Sequence, residues 1–452
     1  MAQRTQEAEG LRKEISGQVL TSADPDYDDV RRIHNGLVDK RPALIARCLN
    51  AADVASAVRL GRESGLEISV RAGGHNIAGR AVTEGGLMID LSLMKDVAVD
   101  TTARTVAAGG GVTWGEFNLA THAQGLATTG GVISTTGIAG LTLGGGIGWI
   151  MGTHGLAVDN LVDAEVVLAS GDVVRANAQD DPDLFWAIRG GGGNFGVATS
   201  LHYRAYPLDT VLGGVVAHPL AAAPEVFGFY REFTASVPDD LTVFAGLRHA
   251  PDGSGMKLCG LPVCHAGVDE AKADADVKAI REFGPPVLDM TGRMPYPMVN
   301  TLIDDAFPKG ALNYWKSAFL TELSDEAVAK MIQAFENAPS DMCLIIIEHF
   351  HGAATRVDPT ATAFPHRQPG YNCLIISEWM DPADTGAGTR WARETYDSLQ
   401  PHMADGVYVN YMDQDDAGRV RAAYGPNYDR LVELKRRYDP ENLFRLNQNI
   451  AP

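Results

Sequence analysis

The sequence predicts an α+β protein, and three observations carry that prediction. Up to about Leu208, short strand-like runs alternate with helical segments and are broken by three glycine-rich blocks, where the backbone can turn tightly and approach other groups closely. From about Asp209 the glycine blocks stop, and many strand-like runs follow one another with helices between them. That pattern suggests one large antiparallel sheet covered by helices on one face. The end of the chain reads as a helix and a short polar element that return to the first part. The expected division is therefore residues 1–208, 209–405 and 406–452.

In chain order, the charged start to about Thr21 reads as a leading helix. Ala43 to Cys48 is a strand, Ala51 to Ser64 a helix started by Asp53 with Val54, Val58 and Leu60 toward its apolar side, and Leu66 to Val70 a second strand. Together they make a β-α-β unit. Strands at Leu87 to Leu91 and Thr105 to Ala108 follow, the second ended by Gly109-Gly110-Gly111, and then a helix from Thr113 to Gln124. Val162 to Leu168 and Val173 to Asn177 are strands joined by the turn Ala169-Ser170-Gly171-Asp172. Asp181-Pro182-Asp183 caps a short helix through Arg189, with proline where its missing N–H is harmless. Val197 to Tyr206 closes this part as a strand.

The second part reads as strands at Val211 to Ala217, Leu241 to Leu247, Lys257 to Leu261, Trp315 to Leu320, Met342 to His351 and Asn372 to Trp379. Helices at Ala223 to Ser236, Val268 to Glu282, Asp325 to Ala338 and Gly388 to His402 alternate with them. Gly425 to Tyr438 is the returning helix and Asn447 to Ile450 the final element.

The first glycine block, Arg71-Ala72-Gly73-Gly74-His75-Asn76-Ile77-Ala78-Gly79, follows directly on a strand. Paired glycines let backbone N–H groups surround an anion, so such a turn can hold a pyrophosphate without a lysine. His75 stands at its lip, and the motif alone fits a plain turn with a solvated histidine better. The second block, from Thr128 to Trp149, is too apolar for a surface linker. It is no dinucleotide fingerprint, because the third glycine would fall at Met151, and no Gly-Lys-Ser/Thr end makes it a phosphate-binding P-loop.

Composition excludes several classes of function. A net charge of -19 disfavours nucleic acid and anionic membranes as partners. The start is polar and no apolar run reaches spanning length, so a cytoplasmic location is expected. The five cysteines, Cys48, Cys259, Cys264, Cys343 and Cys373, are scattered without a Cys-x-x-Cys pair, and no metal site is expected. The oligomeric state cannot be read.

Three motifs in order resemble a known family: Arg-x-Gly-Gly-His, then Thr-Gly-x-x-Gly-x-x-x-Gly-Gly-Gly-x-Gly from Thr136, then Asp-Leu-Phe-Trp-Ala-x-Arg-Gly-Gly-Gly-x-Asn-Phe-Gly from Asp183. With Tyr408-Val409-Asn410-Tyr411 and Tyr438-Asp439-Pro440-Glu441-Asn442-Leu443-Phe444, they resemble the FAD-linked oxidases of the vanillyl-alcohol-oxidase/PCMH superfamily, in the berberine-bridge-enzyme-like branch. The resemblance implies a two-part FAD-binding domain, a substrate domain whose open sheet face covers the flavin, and a C-terminal segment that returns to the first domain. It also implies a flavoprotein oxidoreductase with FAD joined covalently to His75. The family's second tether is a cysteine; the corresponding position is Ile133, so a single tether is implied. Cofactor contacts are implied at Arg71, Ala72, Gly73, Gly74, His75, Asn76, Gly79, Thr135, Thr136, Gly137, Gly140, Leu141, Gly144, Gly145, Gly146, Gly148, Val197, Asn447 and Asn449.

Tyr411 matches a catalytic tyrosine of the family. To act as a base near neutrality it needs its pKa lowered from ~10. Tyr408 is the competing candidate, on the opposite face if the segment is extended. A frequent second acid/base falls at Leu374, which transfers no protons. The neighbouring strand offers replacements, His349 and His351 on one face or Glu348 on the other, and either face can be the one over the cofactor. Lys316 is ambiguous in the same way. The expected activity is an oxidase acting on a small alcohol, amine or phenolic compound, with molecular oxygen as second substrate. A small Thr136 three residues after Ile133 favours oxygen access. The rivals are a dehydrogenase with another acceptor, and a flavin-binding protein without turnover.

Overall fold

The computed structural model describes residues 2–452. The β-α-β start belongs to a four-stranded sheet, in which Leu44–Arg47, Leu87–Asp90 and Ile68–Arg71 run parallel and Gln18–Leu20 pairs antiparallel at the edge. Every residue of Leu87–Asp90 is buried, as a parallel strand covered on both faces requires. Helix Ala51–Glu63 covers the sheet through Val54, Ala57 and Val58. Its N-cap is Asn50, not Asp53. The Asp53 carboxylate instead accepts from the N–H groups of Ser16, Gly17 and Leu49 at 2.8, 3.1 and 2.9 Å, tying the leading helix to the sheet.

A five-stranded antiparallel sheet follows, in the order Val97–Asp100, Thr105–Gly109, Val197–Arg204, Leu161–Val167 and Val173–Asn177. Between its strands lies the second glycine block. It contains the short helix Ile138–Leu143, which its glycine content hides from a reading by periodicity, and the short helices Met151–His154 and Ala157–Asn160 follow it.

Leu126–Ala127 and Tyr206–Pro207 pair in a two-stranded sheet, and the largest sheet has eight strands. Its spine runs Thr210–Pro219, Lys257–His265, Leu241–His249, Leu344–Phe350, Gly370–Trp379 and Leu312–Leu320, all antiparallel. Helices Ala223–Thr234, Glu270–Glu282, Asp325–Glu336 and Thr385–Leu399 pack on one face, where Phe227, Val277, Met331 and Trp391 meet Val243, Ile345, Ile347, Cys373 and Ile375. The other face carries Ile346, Glu348, Leu374 and Trp315, and it closes over the glycine blocks.

The chain then returns to its first part. Helix Tyr428–Tyr438 buries Leu431, Leu434 and Tyr438 in one cluster with Leu184, Ala187 and Phe195. Lys435 of this helix is fully buried and donates to Asp439, Asn194 O and Phe444 O at 2.6, 2.8 and 3.0 Å. One cation thereby joins the third glycine block to the C-terminal segment. Residues 447–450 form no regular element; Ile450 N donates to Asn194 Oδ1 at 3.1 Å.

Among the described residues, no helix is long and apolar enough to cross a membrane, and no group of His, Cys, Asp or Glu is arranged to hold a metal ion.

Candidate active site

The glycine blocks meet backbone to backbone. A Cβ on Gly73 would lie 2.3 Å from Gly137 N, and one on Gly137 would lie 2.4 Å from Gly73 N, so neither position admits a side chain. Gly74 turns with φ +72°, in the left-handed region that glycine reaches without strain. Among the described residues, the N–H groups of Gly73, Gly74, His75 and Asn76 find no acceptor in the protein. A run of unsatisfied donors along one turn is a cradle for an anion.

The cradle opens into a cavity whose lining reaches from Ile68 and Val197 to Glu348 and Tyr411. Of the residues expected to contact a cofactor, Ala72, Gly73, Gly74, His75, Asn76, Thr136, Gly137, Gly140, Leu141, Gly144, Val197 and Asn447 line it.

The others do not line it. The Arg71 guanidinium pairs with Asp90 and Ser92 and faces a smaller cavity on the far side of His75. Thr135 also faces that smaller cavity. Gly79 packs on Val38, Gly145 on Phe364, Gly146 on Ala157 and Gly148 on Gly130 O. Asn449 lies outside the lining, with a buried side-chain oxygen that has no partner. Sequence reasoning missed Arg80, Asn410, Tyr424 and Gln448, which do line the cavity. Arg80 had a signal: it is the one charged residue in the run from Ile77 to Val82.

His75 is held on both ring nitrogens. Thr135 Oγ1 lies 2.9 Å from Nε2 and Thr136 Oγ1 lies 3.4 Å from Nδ1. The ring stacks on His34 at 4.0 Å between centroids and 21° between planes. Burial, then the fields of His34 and Lys309, push the His75 pKa well below the usual histidine range. His34 is pushed down to about 4, first by burial and then by Lys309. Both rings are therefore neutral at physiological pH, and a neutral imidazole keeps the lone pair that a nucleophile or ligand needs.

Across the cavity the sheet presents one carboxylate. Cross-strand pairing sets Glu348 beside Asn372 and Phe244, and Leu374 beside Ile346. Asn372 Nδ2 donates to Glu348 Oε2 at 2.7 Å, and Tyr411 Oη donates to Oε1 at 2.8 Å. Burial raises the Glu348 pKa to about 7, against the lowering effect of these two hydrogen bonds. Tyr411 moves the wrong way for a base: burial and the neighbouring Glu348 push its hydroxyl well above the ordinary value.

Tyr408 and Tyr411 do not lie on opposite faces, because Val409–Tyr411 is a 3-10 turn rather than an extended segment. Their rings touch edge to face at 4.7 Å. The Tyr408 hydroxyl accepts from Gly146 N and Asn410 Nδ2, both at 2.8 Å, which makes it a brace for the second glycine block.

His349 and His351 are not brought to the cavity. Register pairs His349 with Tyr371 on the helix-covered face, and the two imidazoles stack at 4.9 Å and 4°. Burial depresses both, His349 to about 3. Lys316 also lies away from the cavity, in ion pairs with Asp415 and Asp416. Ile133, Leu374 and Thr136 all line the cavity, and none of the five buried cysteines does. No thiol is available there for a second tether.

Comparison with known proteins agrees with this geometry. Residues 42–177 match a family described as FAD binding domain, and residues 407–451 one described as berberine and berberine like. The chain is 33% identical over 459 residues to (R)-6-hydroxynicotine oxidase of Paenarthrobacter nicotinovorans, covering 97% of each chain. It is 30% identical over 443 residues to an FAD-linked oxidoreductase of Dictyostelium discoideum, covering 97% of this chain and 95% of that one. Among solved structures, it superimposes on 6-hydroxy-D-nicotine oxidase of Arthrobacter nicotinovorans with a TM-score of 0.88 at 31% identity, over 97% of this chain and 98% of that one.

Proposed function

We propose, from the premise that this chain belongs to the berberine-bridge-enzyme-like branch of the FAD-linked oxidoreductases, that it is an oxidase for a small, largely apolar alcohol, amine or phenol. The observation that carries the proposal is the buried Glu348–Tyr411 pair facing a glycine cradle across one cavity. The residues present fit FAD: unsatisfied N–H donors for the diphosphate, a neutral His75 to tether the ring, and Val197 to flank the adenine. FAD, when bound, supplies the acceptor for a hydride.

The chain's own residues supply the rest. Phe244, Phe307, Trp315, Ile346 and Leu374 exclude water and orient an apolar substrate body. Glu348, ionised in about half the molecules at pH 7, takes the O–H or N–H proton of the substrate at a carboxylate oxygen. Tyr411 donates to that carboxylate and fixes its orientation, and Asn372 holds the other oxygen. The base assigned to Tyr411 from the sequence thus passes to Glu348, because the tyrosine keeps its proton. Thr136, small and on the cavity wall, leaves room for oxygen. The purified protein is expected to be yellow, to bleach anaerobically with a member of an amine and alcohol panel, and to regain its colour in air. A protein without flavin overturns the reading; bleaching without reoxidation in air favours the dehydrogenase.

A further inference from the structure

The smaller cavity outside His75 is lined by charges of one sign. Arg32, Arg71, Lys95 and Lys309 line it and no carboxylate does, in a chain whose net charge is -19. Three of these cations have an acid behind them: Arg32 pairs with Asp29, Arg71 with Asp90 and Lys95 with Glu116, at 3.3, 3.0 and 2.6 Å. Lys309 has none. Among the described residues its side chain makes no ion pair and no hydrogen bond.

An exposed lysine alone marks no site, because most lysines are exposed. His34 supplies a second and independent signal. It is only 5% exposed, and its backbone is fixed by His34 N donating to Gly74 O at 3.0 Å and Gly310 N donating to His34 O at 2.9 Å. The second of these bonds also holds the loop that carries Lys309 against it. The His34 ring stacks on His75 and lines the same cavity, yet among the described residues neither of its ring nitrogens has a hydrogen-bond partner. An imidazole so little exposed needs an acceptor for its N–H, and the lining offers it none. A ligand that brings both oxygen acceptors and negative charge satisfies His34 and Lys309 together.

We propose that this cavity binds a small oxyanion, either free phosphate or sulfate or the phosphate of a small monoester, between Lys309 and the His34 imidazole, with Arg32 and Lys95 on the same lining. His34, His75 and Phe307 line both cavities and divide them, so the anion sits outside the space read as the FAD site.

Binding there has a signature that loose association with surface lysines lacks. Burial, then the field of Lys309, hold the His34 pKa down to about 4. An anion between the two groups offsets that field, so binding draws a proton onto His34 and tightens as pH falls. The other groups facing the ring are His75 on its stacked side and Arg32, Arg71 and Lys95 on the cavity lining; the last three stay cationic throughout, and His75 is itself held neutral by burial.

The test uses the full chain as purified with its flavin, and sodium sulfate as the probe, against sodium chloride at matched ionic strength. Calorimetric titration in two buffers of different ionisation enthalpy reads affinity and proton uptake together. Wild type is expected to bind one sulfate per chain, more tightly at about pH 5.5 than at about pH 7.5, with uptake of a proton at the lower pH. Lys309→Gln is expected to weaken binding by about fivefold, and His34→Phe, which keeps a ring on His75, to abolish the proton uptake. Ethyl phosphate binding more tightly than sulfate assigns the site to a monoester and equal binding assigns it to the free anion; either supports the site. No saturable sulfate binding, or binding that Lys309→Gln leaves unchanged, overturns the proposal. Sulfate that binds only to protein purified without flavin also overturns it, since the cavity then belongs to the cofactor. If His34→Phe does not fold, Lys309→Gln and the wild-type proton uptake decide by the same criteria. A wild type that carries no flavin is a different failure, that of the functional reading, and sulfate binding is then read on the same protein.

Discussion

Replacing Glu348 by glutamine removes the carboxylate that the large sheet presents to the cavity while keeping its shape and one acceptor oxygen. If Glu348 takes the substrate proton, anaerobic flavin reduction followed by stopped flow should slow by about 100- to 10,000-fold, the usual contribution of a positioned general base. The pH profile is the sharper test. With its pKa raised to about 7, Glu348 makes the wild-type rate fall on the acid side, to about 1% of its maximum two units below that pKa. The glutamine variant should lose this limb and leave a low, flat profile. A variant that reduces at the wild-type rate, or that keeps the same acid limb, refutes the assignment.

Stability gives an independent check. The folded pKa of about 7 exceeds the ordinary 4.5, so the native protein binds the extra proton between those values. The contribution of Glu348 is therefore fully present below about pH 4.5 and is lost as pH rises through about 7, a change of about 3 kcal/mol. Relative to wild type, Glu348→Gln should gain up to that amount in denaturant unfolding between pH 4.5 and pH 8.

The other predictions concern the cradle. In His75→Ala, flavin retained at neutral pH should wash out of the acid-precipitated protein, whereas wild-type precipitate stays yellow and yields a His75 peptide carrying the FAD mass; a colourless wild-type precipitate refutes the tether. Gly73→Ala puts a methyl where Gly137 N lies 2.3 Å away, so the blocks must separate and flavin content should fall severely; normal loading would mean that the loops do not need that contact. Thr136→Leu adds bulk to the cavity wall beside His75 and should slow reoxidation by air at least tenfold, with reduction by substrate less affected; equal reoxidation rates remove Thr136 from the oxygen path.

Much of the fold was legible because its signals are local. The strand from Leu87, the capped helix after Asp181 and the alternating strands of the large sheet follow from burial period and turn chemistry. The short helix Ile138–Leu143 in the second glycine block was illegible, since glycine carries no pattern, and the three glycines after it pack closely on Asn410, Phe364 and Ala157, which lie far along the chain or beyond the block. The Asn50 cap was missed because a second acceptor, Asp53, stood three residues on and was taken for the helix start. The site divides in the same way. The glycine positions of the cradle read directly, whereas the choice between Glu348 and the His349–His351 pair is a matter of sheet register. Alternation separates two faces; only packing decides which one the helices cover.

That register also bears on Leu374, the position at which the family resemblance implies an acid. Leu374 pairs with Ile346, and Glu348 lies two residues further along that strand, opposite Asn372. The apolar Leu374 and the acidic Glu348 are thus diagonal neighbours on one sheet face. A carboxylate on this strand lies over the cavity among Phe244, Ile346 and Leu374, where desolvation raises its pKa into the range useful for proton transfer. An acid at position 374 as well would set two carboxylates near each other, and their repulsion would drive one of them to protonate. Leu374 therefore belongs with Glu348 as the apolar half of one arrangement, and its lack of a titratable group is no argument against turnover.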